Sequence, residues 1–421
     1  MIAFADALAA IDRAARPYAQ ETVPVAESLG RFLTEALTAP TDVPAFSRSA
    51  MDGFALRRED LGRELRVVET VAAGQVAEHD VKPGTAVRIM TGAQVPRGAD
   101  LVVQVEFTEE RDGYVRFTQT EQGTNIIERG ENAKAGDVVV TPRLMGAQDV
   151  GVAAAHGRGT LAVMQAPQVG VIATGNELRE PGCDLGPGEI HNSNGPQLMA
   201  HSRTYGCAPR YYGIGRDSPA ELRELLASAL AENDLVVVSG GVSRGEFDYV
   251  PELMGELGVQ THFHRVAMKP GRPTYFGTRG GRGIGEATAD RGAGRQTTDR
   301  RADEPTGSGS SSDITYVFGL PGNPVSVFVV FEVFVRRLLH RMAGLEPAWR
   351  TVPVLAGETL PAGDAERVKF IPVSLNCGAA RPVRYGGSSH LSALSDADGL
   401  VEIPVGAPPI AEGSPIDVRP I

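Results

Sequence analysis

Residues 234–250 read DLVVVSGGVSRGEFDYV. Val236, Val237 and Val238 form a short apolar run of the kind that a strand buried on both faces requires, and Gly240 and Gly241 follow at once. Two further runs have the same character: QVGVIAT at 168–174 and ITYVFGL at 314–320. Between the first two lies SPAELRELLASALAEN (218–233), an amphipathic helix with Ser218 at the N-cap, Pro219 at the first helical position and Leu222, Leu225 and Leu226 on one face. PVSVFVVFEVFVRRLLHRM (324–342) is a long apolar helix after the third run. Strands alternating with helices predict a parallel α/β sheet over residues 165–344.

The texture changes on either side. Residues 1–43 read as helical, interrupted by Pro24, Pro40 and Pro44, and residues 131–164 as mixed helix and strand; together they make a first domain. Residues 44–130 alternate short strands such as LRVVETV and YVRFTQT with Gly, Pro and Asp turns, which predicts a small β domain. Residues 345–421, with TVPVLAG, VKFIPVSL and GLVEIPVG, predict a C-terminal β domain. The fold class is therefore α/β and β multidomain. Residues 278–313 fit no element: Ile284 is their one large apolar residue, and six arginines balance six carboxylates. Such a stretch buries too little apolar surface to offset its ordering entropy and is expected to be a disordered surface insertion. The rival reading, an arginine-glycine RNA-binding segment, conflicts with its balanced charge and missing aromatics.

At 421 residues the chain is too long for one core. A net charge of −11 argues against a general nucleic-acid binder. Cys183, Cys207 and Cys377 form no C-x-x-C, and their odd number fits a reducing compartment. The N-terminus lacks the basic region of a signal peptide, and no apolar run approaches the ~20 residues that cross a bilayer. The cytoplasm is the expected location, with no membrane partner.

Ligands of open parallel sheets bind at the carboxyl ends of the strands. Three junctions there carry unusual sequences: ATGNELRE with Glu177, SGGVSRGEFDYV with Asp248, and GLPGNPVS with Gly322 and Asn323. Glycines let a phosphate approach the backbone, and helix N-termini favour anions. Three such loops on one edge predict a nucleotide-like or phosphorylated ligand. There is no Walker A sequence and no G-x-G-x-x-G opening a βαβ unit. Carboxylates beside phosphates point to Mg²⁺, held by Glu177 and Asp248; the bland alternative is that both cap helix N-termini. AMKPGRPTYFG places Lys269 and Arg272 around a stiff Pro-Gly turn, where they are expected to complete the pocket. His262 and His264 share one strand face without a third ligand and read as structural. In the β domain, PAFSRSAMDGFALRRED interleaves Ser47, Ser49 and Asp52 with Phe46, Met51 and Phe54; turn formation accounts equally well for Asp52-Gly53 and Thr91-Gly92.

PAFSRSAMDGFA, VRIMTGAQVPRGAD, NIIERGENAKAGD, ATGNEL, IHNSN, SGGVSRGEFDYV, MKPGRP, GLPGNPVS and SSHLSAL occur in this order along nearly the whole chain. In that collinear set the sequence resembles the molybdopterin molybdenumtransferases, a family that includes the gephyrin E domain. The resemblance implies an elongated four-domain homodimer whose third domain is similar to molybdopterin adenylyltransferases, with the site between that domain of one subunit and the second domain of the other. It implies a reaction of adenylyl-molybdopterin with molybdate, releasing AMP, with Mg²⁺ required. It implies molybdopterin adenylyltransferases and molybdenum enzymes as partners. By the same resemblance, Asp52, Glu177, Asp248 and Lys269 are catalytic. Thr91, Asp217, Gly240, Gly241, Ser243, Arg272, Pro321, Gly322, Asn323 and Ser326 bind substrate. Asn176, Asn132 and Arg272 depart from the commonest pattern of the family; Asn132 removes a carboxylate, which puts a role as base or metal ligand there in doubt. Alternatives are a tungstate-inserting paralogue, one shifted toward adenylylating the pterin, and a non-catalytic scaffold of the same fold; retention of the acids around one anion pocket speaks against the scaffold.

Overall fold

Val236, Val237 and Val238 are inaccessible to solvent. In the computed structural model, which describes residues 1–119, 122–242, 249–280, 314–347, 351–384 and 386–421, their strand Leu235–Ser239 lies inside a six-stranded sheet. The order is Ala208–Gly215, Gln168–Thr174, Leu235–Ser239, Ile314–Leu320, Tyr275–Gly280, Gln260–His264. The first four strands are parallel, and Tyr275–Gly280 runs antiparallel to both of its neighbours. Val237 stands between Val171 and Phe318 in register.

The unbroken apolar run follows from burial on both faces. Leu235 and Val237 share one core with Phe318, Phe331, Phe334 and Leu338, while Val236 and Val238 share the other with Leu222, Leu226, Val250 and Met254. Each such side chain contributes roughly 1.5–3 kcal/mol on leaving water. The apolar helix runs as Pro324–Val330, a π-helical turn Phe331–Val335, and Arg336–Met342. At that turn the buried Glu332 accepts hydrogen bonds from Tyr205 Oη (2.9 and 3.0 Å) and Arg336 Nη1 (3.0 Å). Burial, and then the Glu332 charge, push the Tyr205 hydroxyl pKa up.

The helical reading of residues 1–43 needs correction. Only Phe4–Ala14 is α-helical, and Gln20–Pro24 is a strand paired antiparallel with Thr160–Met164. QETVP has one buried apolar residue, Val23, so its partner 140 residues on, not its own pattern, makes it a strand. The helix packs into another core, which only Met164 of this pair enters. Phe4, Ala7 and Ile11 enter the core of the large sheet, with the Phe4 ring 5.8 Å from Phe334 and 5.4 Å from Phe370. Asp12 ties it down by accepting from Arg337 Nη2 (2.6 Å) and Arg341 Nε (3.0 Å).

The expected insertion also begins too early. Thr278, Arg279 and Gly280 end the strand Tyr275–Gly280, opposite Tyr316, Thr315 and Ile314. Backbone pairing with a buried neighbour overrides their polar composition. The rest of that expectation, residues 281–313, lies outside the described residues.

The small β domain is a six-stranded sheet ordered Leu101–Gln104, Gly53–Leu56, Thr85–Ile89, Leu65–Val71, Tyr114–Phe117, Thr108–Arg111. In the C-terminal domain, Val368–Asn376 pairs with both Ala379–Pro382 and Gly399–Ile403, which closes the sheet into a barrel. Met268–Lys269 joins that barrel by pairing with Val368 and Lys369, so a segment of the α/β region is stitched to the C-terminal domain.

Candidate active site

The carboxyl ends of three parallel strands meet around one cavity of about 270 Å³. Thr174, Gly175 and Glu177 come from the first loop, Gly240, Gly241 and Val242 from the second, Pro321 and Gly322 from the third; Asp217 and Pro273 complete the wall. Gly240 and Gly241 have φ of +92° and +68°, in the left-handed region that favours glycine. A Cβ on Gly240 would stand 2.6 Å from Thr174 Oγ1 and 2.7 Å from Thr174 O. The glycines therefore let the second loop close on the first, and a Cβ on Gly322 would sit only 4.0 Å from Gly240 Cα.

Among the described residues, two carboxylates reach this cavity. The Glu177 side chain is exposed, lies over Gly175, and makes no hydrogen bond or ion pair among the described residues. It caps nothing there, which removes the bland reading of that residue. Asp217 is half-buried and pairs reciprocally with Asn176: Asn176 N donates to Asp217 Oδ2 at 3.3 Å, and Asp217 N donates to Asn176 Oδ1 at 3.1 Å. Asn176 thus serves through its carbonyl oxygen, for which a carboxylate is not needed. Ser243 and Asp248 lie outside the described residues.

The structure keeps the expected basic pair, Arg272 and Lys269, off the cavity wall. Neither lines the three-loop cavity: Pro273 does, but the exposed Arg272 before it does not, and nor does Lys269. The pairing of Lys269 with the barrel strand draws it to a different cavity, of about 590 Å³, shared with Lys369, Arg384, Phe370 and Ile371. Asn323 is exposed, and its Nδ2 donates to Ser388 Oγ (2.8 Å); Ser326 is buried, only 4% exposed, in the helix behind it. His262 and His264 bond within the fold, to Thr278 Oγ1 and Val242 O, both at 2.8 Å. Burial pushes the Cys207 thiol up to about 12.

Asp52 and Thr91 form a second constellation, in the β domain. Asp52 Oδ1 accepts from Thr91 N and Thr91 Oγ1, both at 2.7 Å. Gly53 is required for close packing rather than for a turn: a Cβ there would collide with Val103 O in the neighbouring strand. Gly92 does occupy a turn, with φ +81°. The two Thr91 bonds, the backbone one first, hold the Asp52 carboxyl below its usual pKa. A depressed pKa means that the ionised form is favoured by folding. That preference is complete above the ordinary carboxylate pKa and is lost as pH falls through the lowered one. Thr91→Val is expected to move the Asp52 pKa upward and the acid limb of activity with it. Carboxyl ¹³C titration by NMR checks this, and an unmoved pKa would contradict it.

Comparison with known proteins places these features. Residues 2–157 match the MoeA N-terminal region (domain I and II), residues 170–341 a probable molybdopterin binding domain, and residues 361–421 the MoeA C-terminal region (domain IV). The chain is 34% identical to molybdopterin molybdenumtransferase 2 of Mycobacterium tuberculosis, over 96% of this chain and 95% of that protein. It is 31% identical to the molybdopterin molybdenumtransferase of Staphylococcus epidermidis, over 93% and 89%. The chain belongs to the molybdopterin molybdenumtransferases. The crystal structure of the molybdopterin biosynthesis moeA protein from Pyrococcus horikoshii OT3 superimposes with a TM-score of 0.73 at 28% identity, covering 100% of both chains. The fold expected from the motifs of this molybdenumtransferase family, an α/β domain flanked by β domains, is the one observed.

Two family motifs take on roles that sequence reasoning left unassigned. SSHLSAL reaches the helix that starts at Pro324: besides Ser388 Oγ on Asn323, Ser388 O accepts from Val325 N (3.0 Å). IHNSN supplies Asn192, whose Nδ2 donates to Tyr211 Oη (2.7 Å), and Asn194, which bonds Ser239 and Gly322. Burial of Asn194 between two glycine-rich loops was the missing signal, and a linear sequence does not display it.

Proposed function

We propose that this chain transfers molybdenum from molybdate to adenylyl-molybdopterin, releasing AMP and the molybdenum cofactor. The observation that carries the reading is the three-loop cavity. Its rim is glycine-rich, and the Glu177 carboxylate on it has no partner among the described residues, while Asp217 beside it accepts from Asn176 N. In this reading the adenylyl phosphate lies against Gly240, Gly241 and Gly322, with Asp217 and Asn176 fixing the first loop. Carboxylates beside a phosphate repel it unless a cation intervenes. The exposed oxygens of Glu177 are hard donors that suit Mg²⁺, with Asp248 as the second expected ligand. A bound Mg²⁺ supplies charge neutralisation at the phosphate.

The cavity of Lys269, Lys369 and Arg384 sits at the junction with the barrel, and its cations suit the molybdate oxyanion. Lys269→Ala is expected to weaken molybdate dependence by about 1.5–3 kcal/mol, the range for hydrogen bonds to charged groups. An unchanged molybdate concentration at half-maximal rate speaks against that assignment. Asp52 acts from a partner subunit in this reading. It is exposed, ionised and oriented by Thr91, and Phe46 and Met51 of the same segment leave 40% and 41% of their surface in solvent. An obligatory homodimer covers such side chains. The cytoplasm, where molybdate and reduced thiols occur, is the proposed location; among the described residues no helix is long and apolar enough to cross a membrane. The deciding experiment incubates the purified chain with adenylyl-molybdopterin, molybdate and Mg²⁺ and follows AMP release and protein-bound molybdenum. A scaffold releases no AMP.

A further inference from the structure

Asn194 opens the helix Asn194–Thr204 and is only 7% exposed. Its Nδ2 donates twice: to Ser239 Oγ at 2.7 Å and to Gly322 O at 2.7 Å. Ser239, 1% exposed, donates its hydroxyl to Pro321 O at 3.4 Å, and Thr174 Oγ1 donates to Ser239 O at 3.3 Å. Thr174, Pro321 and Gly322 all line the three-loop cavity, and Ser239 directly precedes Gly240. One buried amide thus connects the ends of two parallel strands, and Thr174 adds the third through the Ser239 carbonyl.

The side chain is chosen for its two donors. Asn194 Oδ1 is buried and has no partner among the described residues, an arrangement that costs stability. An apolar residue avoids that cost but leaves Gly322 O and Ser239 Oγ without their donor. An ionised Asp would set acceptor against acceptor. The position of the amide is itself fixed from outside the cavity. Asn192 Oδ1 accepts from Gly195 N (3.0 Å), and a Cβ on Gly195 would stand 2.8 Å from Asn192 Nδ2 and 2.9 Å from the Tyr211 ring. The helix start is therefore seated before the amide reaches the loops.

We infer that Asn194 is a positioning residue of the proposed reaction: with Ser239 it brackets the second and third loops at the separation that the substrate's nucleotide phosphate requires. The inference rests on reading the cavity as the nucleotide-side site. It acts through backbone geometry, because no atom of Asn194 lines the cavity.

The test uses the full chain with Asn194→Ala, Ser239→Ala, the double variant and Asn194→Asp, with AMP as the probe. In the absence of ligand, hydrogen exchange of peptides covering 239–242 and 320–325 is expected to quicken in Asn194→Ala, with the β domain unaffected. AMP affinity by calorimetry is expected to fall about tenfold in each single variant, the factor of one lost hydrogen bond. The double variant is expected to lose no more than the larger single loss, because the two groups act as one unit. Asn194→Asp donates a hydrogen bond only when protonated, so its AMP affinity relative to wild type should recover as pH is lowered, which a packing role would not produce. Unchanged exchange in the two loops overturns the bracket, whatever the cavity binds. Faster exchange with wild-type AMP affinity overturns the positioning role. Failure of the wild-type chain to bind AMP instead overturns the proposed ligand of the cavity, and the exchange comparison still decides the bracket.

Discussion

Glu177→Gln is expected to slow molybdate-dependent AMP release by on the order of 10²–10³, the usual loss when one preorganised electrostatic element is removed from an active site. Stability should not change. The carboxylate is exposed and has no hydrogen-bond or ion-pair partner among the described residues, so Gln removes a charge without orphaning a donor. The shape is also retained, since the side chain still rests over Gly175. Two readouts separate the roles that a carboxylate can have here. A ligand for Mg²⁺ makes the Mg²⁺ concentration for half-maximal rate rise in the variant. Mere repulsion of substrate makes the variant bind adenylyl-molybdopterin more tightly with turnover unchanged. Wild-type turnover at the same Mg²⁺ dependence would remove Glu177 from the mechanism and leave the expected metal role to Asp248 alone.

What the sequence displayed of this fold was its periodicity. The runs at 168–174, 235–238 and 314–320 carry apolar residues on both faces rather than in strict alternation because both faces of the sheet are covered, and the helix from Pro324 to Met342 is apolar because it enters one of those cores. Gln20–Pro24 was not legible, because one buried valine cannot distinguish a strand from a broken helix and the deciding partner lies at Thr160–Met164. Nor was the seat of Phe4–Ala14 legible: its amphipathic pattern predicts a helix with a buried face, but not which core receives it.

The candidate site was legible in the same uneven way. Glycines and carboxylates at strand ends marked the three loops, because backbone access and charge are written in residue type. The separation of Lys269 from those loops was hidden, since it follows from a two-residue pairing with Val368 and Lys369 about a hundred positions away. Gly53 was misleading for a related reason. Asp-Gly is a turn signal, yet here the glycine is needed by the neighbouring strand's Val103 carbonyl, a contact made across the sheet. Asn194 was quoted within a motif but given no role, because an amide that brackets loops has no spacing rule of its own.

Mixing an Asp52→Ala chain with a Glu177→Ala chain is expected to restore activity that neither shows alone. The two residues stand in different domains, and the cavity that holds Glu177 draws none of its wall from the β domain. Asp52 is nonetheless held in place: two bonds from Thr91 orient it and favour its ionised form, and Phe46 and Met51 of the same segment leave 40% and 41% of their surface in solvent. A site completed across a two-fold axis accounts for both facts. In a heterodimer of the two variants, one site then lacks both residues and the other has both. Random pairing puts half of the dimers in that state, so recovery of roughly a quarter of wild-type activity is expected for a closed two-fold assembly. If Asp52 and Glu177 serve the same subunit's site, every site in the mixture lacks one of them and activity stays at the level of the single variants. With heterodimers confirmed by native mass spectrometry, that second result would assign the Asp52–Thr91 pair to its own subunit or to the fold alone, and the proposed shared site would fall.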